Sequence, residues 1–222
     1  VDPDALQQAR NGLSKALAMG VESDLRRLYE HLASVGTYQF DTAAVARRRL
    51  RNVCLAYLNE LDAPDSRALA VQQFASADNM TDQFAALSVL ANAPGEEGDR
   101  ALETFYARWQ HEALVVDKWL AVQAASRRGD TRERVERLTK HPAFDLRNPN
   151  KVYALLRTFG ANHRHFHAAD GSGYCFLAAQ ILALDPINPQ VAARLARCFD
   201  RWQKFDRQRQ DYACAALEAV HH

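Results

Sequence analysis

Helical periodicity, with no competing strand pattern, is the feature that most constrains the fold of this chain. The clearest segment runs from Asp41 to Leu61, where apolar side chains share one stripe and four arginines between positions 47 and 51 stay off it. No stretch combines sustained period-two alternation, β-branched residues and hairpin turn residues. Only 9 Gly and 7 Pro occur in 222 residues, which also favours helices over strands and turns. The sequence therefore predicts an all-α fold.

Further helical segments follow one another along the chain with short breaks between them. They are predicted at 2–20, 22–33, 65–77, 81–93, 96–110, 115–126 and 132–140, and after Asn148-Pro149, Asp170-Gly171-Ser172-Gly173 and Asn188-Pro189. The total is about twelve helices of roughly 10 to 20 residues. Many short helices in series predict stacked antiparallel pairs, an irregular right-handed α-solenoid of the armadillo or HEAT type. No strict repeat period is visible.

Composition and net charge limit the classes of protein to which this chain can belong. Hydrophobic residues make up 48% and charged residues 25% of the chain, as in an ordinary globular protein. The formal net charge is only +1, so the whole-chain field attracts neither nucleic acid nor an anionic membrane, and neither is expected as a partner. No apolar stretch is long enough for a membrane span.

The cysteines and the start of the chain indicate its compartment and its origin. Cys54, Cys175, Cys198 and Cys214 form no Cys-x-x-Cys pair and are predicted to be reduced, mostly buried thiols of a cytoplasmic protein. The sequence begins at Val1 without Met, as expected for a piece of a longer polypeptide or a processed chain.

One segment comes close to a zinc motif. Zinc metalloproteases place two His one helical turn apart, with the Glu that follows the first acting as general base. Here His111 is followed by Glu112, but Val115 stands where the second His is needed. One His and one Glu do not complete a tetrahedral site, so we predict an exposed helix end and no metal site.

Two neighbouring segments offer candidate catalytic groups. His163, His165 and His167 would share one side only of an extended strand, so we predict a loop whose imidazoles make ordinary hydrogen bonds. Ser172 lies between two glycines but lacks the preceding strand of a nucleophile elbow. The Asp170 to Gly173 segment is predicted to be a cap and tight turn before a helix.

The helix after Asn188 carries a line of polar side chains. Gln190, Arg194, Arg197 and Arg201 fall at i, i+4, i+7 and i+11, apart from an apolar stripe. This is either a solvated basic face or a wall that faces an anion, such as a peptide carboxylate held bidentately by Arg194. Spacing alone favours the solvated face.

Four stretches together resemble a known family, the bacterial aminopeptidase N branch of the zinc-dependent gluzincin aminopeptidases. They are Asp78-Asn79-Met80-Thr81-Asp82, Val116-Asp117-Lys118-Trp119, Asn148-Pro149-Asn150 with the segment HAADGSGY at 167–174, and Asn188-Pro189-Gln190-Val191-Ala192-Ala193-Arg194-Leu195. Their order and spacing also match, from about position 76 to 217, whereas positions before about 62 fit less distinctively.

The resemblance implies that residues 1–222 form a single helical cap domain, a non-catalytic C-terminal part of a larger aminopeptidase. Such a domain closes a substrate chamber over a catalytic domain, which is then its partner and which holds the zinc and the His-Glu-x-x-His motif. Gln190 and Arg194 match family positions that contact the bound peptide. Tyr153 departs from a basic side chain in relatives. The end at His221-His222 is earlier than in relatives.

Two alternatives remain open at the level of sequence. The first is a free-standing α-solenoid adaptor that binds a protein or peptide on its concave face. The second is a small hydrolase that uses His163, His165 or His167 with Asp170.

Overall fold

The computed structural model describes residues 1–33, 36, 38–93 and 95–221, and all regular structure in these ranges is helical. The α-helices are α1 (Pro3–Gly20), α2 (Glu22–His31), α3 (Thr42–Asn59), α4 (Pro64–Ser76), α5 (Met80–Leu90), α6 (Glu96–Trp109), α7 (Ala113–Ala124), α8 (Thr131–Leu138), α9 (Pro149–Val152), α10 (Thr158–Ala161), α11 (His163–Phe166), α12 (Ser172–Leu184), α13 (Pro189–Ala196) and α14 (Arg207–His221). A π-helical turn, Tyr153–Arg157, joins α9 and α10 into one continuous helix. The all-α prediction is confirmed.

Helices begin where the sequence places capping residues. Pro64 occupies the first turn of α4, where its missing N–H costs no hydrogen bond. The side chains of Asn79, Asn148 and Asn188 accept hydrogen bonds from the first backbone N–H groups of α5, α9 and α13. The predicted break at Pro94-Gly95 lies partly outside the described residues, because Pro94 is not among them.

The chain forms two compact units. One comprises residues 8–105, and the other comprises residues 1–7 together with 106–222. Over the described part of the chain, no helix is both long enough and apolar enough to cross a membrane.

The 8–105 unit is organised around a buried polar network. Asp82 is 4% exposed, and its carboxylate accepts hydrogen bonds from Asn52 Nδ2 at 2.8 Å and from Asn79 Nδ2 at 3.0 Å. Gln73 Nε2 donates to Asn52 Oδ1 at 2.7 Å, and the Tyr29 hydroxyl donates to Gln73 Oε1 at 3.0 Å. The network therefore ties α2, α3, α4 and α5 together, and each buried polar group in it has a partner.

The 106–222 unit has an aromatic core. Phe166 packs edge-on against Phe159, Tyr174 and Phe199, with ring centroids 5.1–6.5 Å apart. The segment 167–174 seats α12 beside this core. His167 Nδ1 lies 2.7 Å from the Tyr174 hydroxyl.

Two glycines let this segment turn tightly. Gly171 has φ of 72°, a left-handed conformation that favours glycine. A Cβ at Gly173 would collide with the backbone carbonyls of His165 and Phe166. The glycine pattern of 167–174 is thus a packing requirement.

Buried cations fix other segments of the same unit. Lys151 Nζ lies 2.7 Å from Asp117 Oδ1 and donates to the Ala113 carbonyl at 3.0 Å, which fixes α9 against the start of α7. Arg209, 6% exposed, donates to the His167 carbonyl at 2.7 Å and pairs with Asp206 and Asp4. The N-terminal turn is thereby bound to α14.

Candidate functional site

An open cleft of about 550 Å³ lies in the 106–222 unit. Its walls come from the π-turn, from α10 and from α13 with the 3₁₀ turn that follows it. The polar and reactive side chains that line it are Tyr153, Arg157, Arg194, Arg197, Cys198 and Asp200.

Local structure explains why these side chains meet. Val191 and Leu195 are buried on α13, which leaves Arg194 exposed on the cleft side. The π-turn inserts an extra residue into a helix, and Tyr153 and Arg157 stand at its two ends. The helix also approaches closely: a Cβ on Gly160 would lie 2.9 Å from Cys198 Cβ.

The cleft carries excess positive charge. Arg197 Nε donates to Asp200 Oδ2 at 3.1 Å, so one of the three arginines has a carboxylate partner. Arg194 Nη1 donates to the Tyr153 hydroxyl at 3.4 Å, and the Arg157 guanidinium lies 5.8 Å from the centre of the Tyr153 ring. Within the described ranges, neither Arg157 nor Arg194 pairs with an acid. The arrangement suits an anion.

The thiol of Cys198 also lines the cleft. Burial raises its pKa to about 11, against a smaller lowering by Arg157. The thiol is therefore protonated at neutral pH, and the reactive thiolate form is scarce.

The predicted polar line on the Asn188 helix is only partly correct. Gln190 and Arg194 lie on α13, but the helix ends at Ala196 and Arg197 begins a 3₁₀ turn. Arg201 therefore leaves the line predicted from α-helical spacing and is exposed beyond it. Gln190 is exposed one helical turn before Arg194, outside the set of residues that line the cleft.

The predicted histidine loop is wrong. Residues 163–166 form the short helix α11; His163 is exposed, whereas His165 and His167 are buried. Burial, together with nearby His163 and Arg209, lowers the pKa of His167 to about 3. His167 is thus a neutral core residue whose imidazole is hydrogen-bonded to the Tyr174 hydroxyl.

The cap and turn at Asp170 are confirmed. The Asp170 carboxylate accepts a hydrogen bond from the Ser172 backbone N–H at 3.0 Å, and hydrogen bonding from Ser172 lowers the pKa of Asp170. This carboxylate thus caps the turn before α12, and the two buried histidines pack in the core. The structure gives no support to a hydrolase built from them.

The His111 segment is an exposed stretch between α6 and α7, as predicted. Glu112 occupies the N-cap position of α7. In the described ranges, no group of three or more His, Cys, Asp or Glu side chains is placed to hold a metal ion.

The prediction that the cysteines are mostly buried is wrong. All four thiols are free, but only Cys54 is buried, whereas Cys175 is exposed. The helical period places Cys175 beside buried neighbours, yet its own side of α12 faces solvent.

Sequence reasoning missed Arg157 as a cleft residue. An ordinary α-helix was expected after Asn148, and no residue type marks the π-turn that separates Tyr153 from Arg157. The only available signal was an arginine within an otherwise apolar run.

Together, the described helices and the cleft define a class of structure, an all-α domain with an open cleft lined by arginines. The family model described as "Domain of unknown function (DUF3458_C) ARM repeats" matches residues 1–222, and the chain belongs to this family. The α-solenoid class predicted from the sequence is thereby confirmed.

Individual relatives are aminopeptidases. The chain is 39% identical to Aminopeptidase N of Caulobacter vibrioides over 220 residues, covering 99% of this chain and 26% of that protein. Aminopeptidase N of Haemophilus influenzae is 39% identical and that of Escherichia coli 36% identical, each with 99% of this chain and 25% of the relative covered. The chain thus spans about a quarter of the curated relatives it matches.

A solved structure of an aminopeptidase contains a region with the same fold as this chain. The crystal structure of Legionella pneumophila aminopeptidase A in complex with aspartic acid superposes with a TM-score of 0.90 at 36% identity, covering 98% of this chain and 27% of that one. The resemblance inferred from the four sequence stretches is confirmed.

Proposed function

We propose that residues 1–222 are the non-catalytic C-terminal cap domain of a zinc metallo-aminopeptidase that releases N-terminal amino acids from peptides. The observation that carries this proposal is the match of nearly the whole chain to about a quarter of several aminopeptidases, in both sequence and fold. A segment that fills a defined part of a larger enzyme is expected to act within such an enzyme.

In this proposal the domain contributes to peptide binding. Arg194 stands in an open basic cleft with no acidic partner in the described chain, so its guanidinium is available for a peptide's C-terminal carboxylate. Gln190, one turn earlier and exposed, extends the contact along the peptide. A contact at the far end of the substrate is equal in ground and transition states, so it lowers KM and leaves kcat unchanged.

The zinc of such an enzyme does not fit this chain. His111 and Glu112 lack a second His one turn on, and the described residues assemble no three-ligand group. We therefore assign no catalytic step to residues 1–222 and place the metal in the catalytic domain, which is the proposed partner within the same polypeptide.

The cap also has a physical task. A helical domain over the catalytic centre forms a chamber that admits short peptides and excludes folded proteins. Exclusion of bulk water strengthens electrostatic contacts to the substrate inside. The four free cysteines suit a cytoplasmic protein, and the near-zero net charge suits one without nucleic-acid or membrane partners.

The test compares the isolated chain with the longer protein that carries it. We expect the purified 222-residue chain to release no chromophore from alanine p-nitroanilide, with or without added zinc, and the longer protein to release it in a zinc-dependent way. Zinc-dependent turnover by the pure chain would overturn the proposal, as would an inactive longer protein.

A further inference from the structure

The cleft presents two cations rather than one. Arg197 is neutralised by Asp200 at 3.1 Å, but Arg157 and Arg194 have no carboxylate partner among the described residues. Both guanidiniums line the same 550 Å³ cleft. A single peptide carboxylate brings one negative charge and leaves one of these two positive charges uncompensated.

Tyr153 interacts with both cations. Its hydroxyl accepts a hydrogen bond from Arg194 Nη1 at 3.4 Å, while Arg157 lies 5.8 Å from the centre of its ring. The tyrosine is thus shared by two guanidiniums that come from different elements, the π-turn and α13. An anion with two separated negative charges offers one charge to each guanidinium.

We propose that this cleft selects peptides whose C-terminal residue is Asp or Glu, with Arg194 and Arg157 each binding one carboxylate of that residue. The proposal rests on the proposed function and names the substrate class of the same site. Such a terminal residue presents an α-carboxylate and a side-chain carboxylate a few ångströms apart. Bidentate arginine–carboxylate pairs supply the geometric specificity.

The charged side chains that line the cleft determine how strongly it prefers a peptide with an acidic C-terminal residue. Asp200 lines the cleft and offsets Arg197, so the net charge that meets the peptide is that of Arg157 and Arg194. Both arginines are exposed, and pairs at such sites are weak and screened by salt. We expect a preference of about three- to five-fold for the second carboxylate, which declines as salt rises.

The experiment uses three peptides that differ only at the C-terminus: Ala-Gly-Asp, Ala-Gly-Asn and Ala-Gly-Asn-amide. Their binding to the 222-residue chain is measured by calorimetry or by NMR titration, and their hydrolysis is measured with the longer protein. Variants are Arg157→Gln and Arg194→Gln, with Arg201→Gln as the control, because Arg201 is an exposed arginine of the same region that does not line the cleft.

In the wild type, we expect binding to follow Asp over Asn over Asn-amide. Arg157→Gln should bring the Asp to Asn ratio close to one and retain the preference of Asn over its amide. Arg201→Gln should leave both ratios unchanged. An Asp to Asn ratio near one in the wild type, or a ratio that survives Arg157→Gln, would overturn the inference.

The two proposals fail in different ways. If the longer protein hydrolyses none of the peptides, the proposed function fails, while the binding measurements on the chain still decide the charge preference. If all three are hydrolysed, and the Asp and Asn peptides bind alike but more tightly than the amide, only the preference for an acidic C-terminal residue fails.

Discussion

The polar network around Asp82 and the basic cleft around Arg194 use charge in opposite ways. In the 8–105 unit, Asp82 is buried and receives hydrogen bonds from Asn52 and Asn79, and Gln73 and Tyr29 complete the network. In the 106–222 unit, Arg194 is exposed and its contact is a 3.4 Å hydrogen bond to a tyrosine. Satisfied groups hold helices together, whereas an unpaired exposed charge is available to a ligand.

The same contrast applies to the stretches that carry the family resemblance, because such a stretch can serve the fold, a binding site or both. The Asp78 to Asp82 stretch caps α5 and forms the network, and the 167–174 stretch seats α12 through Gly171 and Gly173. Both stretches therefore serve the fold. In the stretch that begins at Asn188, Asn188 caps α13, and Arg194 lines the cleft and has the binding role that we propose.

The largest expected effect comes from breaking the buried network. Asp82→Ala removes the acceptor of two side-chain amides and leaves Asn52 and Asn79 without that partner, at a cost of about 3 kcal/mol in the free energy of unfolding. Urea unfolding of the chain measures it.

Asp78→Ala is the matched control, since Asp78 is an exposed carboxylate of the same stretch, whose hydrogen bond from Asn79 Nδ2, at 2.9 Å, lies at the surface. It should cost less than about 1 kcal/mol. Equal costs for the two variants would contradict the assigned network.

A second, smaller effect concerns pH and the buried His167. Burial lowers its pKa to about 3 in the folded chain, against an unfolded value near 6.5. Between these values the unfolded chain binds the extra proton, so stability is highest above about pH 6.5 and falls with decreasing pH by up to about 1.4 kcal/mol per unit.

The contribution of His167 is isolated by comparing the unfolding free energies of variants from pH 6.5 to 5. This interval lies above the pH range in which the titration of carboxylates dominates the change in stability. His167→Gln should flatten the dependence of unfolding free energy on pH, and His111→Gln, at an exposed position, should not. A slope in His167→Gln equal to that of the wild type would show that His167 is not held neutral in the core.

The sequence was sufficient for most of the fold because helix starts have local signals. Asn148 and Asn188, each followed by a proline, mark first turns that the structure confirms. The predictions that failed concern structure that depends on contacts between residues distant in the sequence. The short helix at 163–166 is stabilised by packing of His165 and Phe166 into the core, which no local pattern records.

The candidate site was predictable in part. Spacing alone favours a solvated face for Arg194, whereas the family resemblance makes it a candidate site residue, and it does line a cleft. The partnership with Tyr153 and Arg157 depends on a π-turn, which no residue type in 153–157 marks. The early end of α13 at Ala196 likewise removed Arg201 from the predicted line.

The most direct test of the central claim, that Arg194 serves the substrate and not the fold, is Arg194→Gln. In the longer protein, kcat/KM for a tripeptide with a free C-terminal carboxylate should fall roughly five-fold through KM, corresponding to about 1 kcal/mol. The value for alanine p-nitroanilide, which has no such carboxylate, should not change, and the unfolding free energy of the chain should stay within about 0.5 kcal/mol. Equal losses on both substrates, or a large loss of stability, would contradict the account.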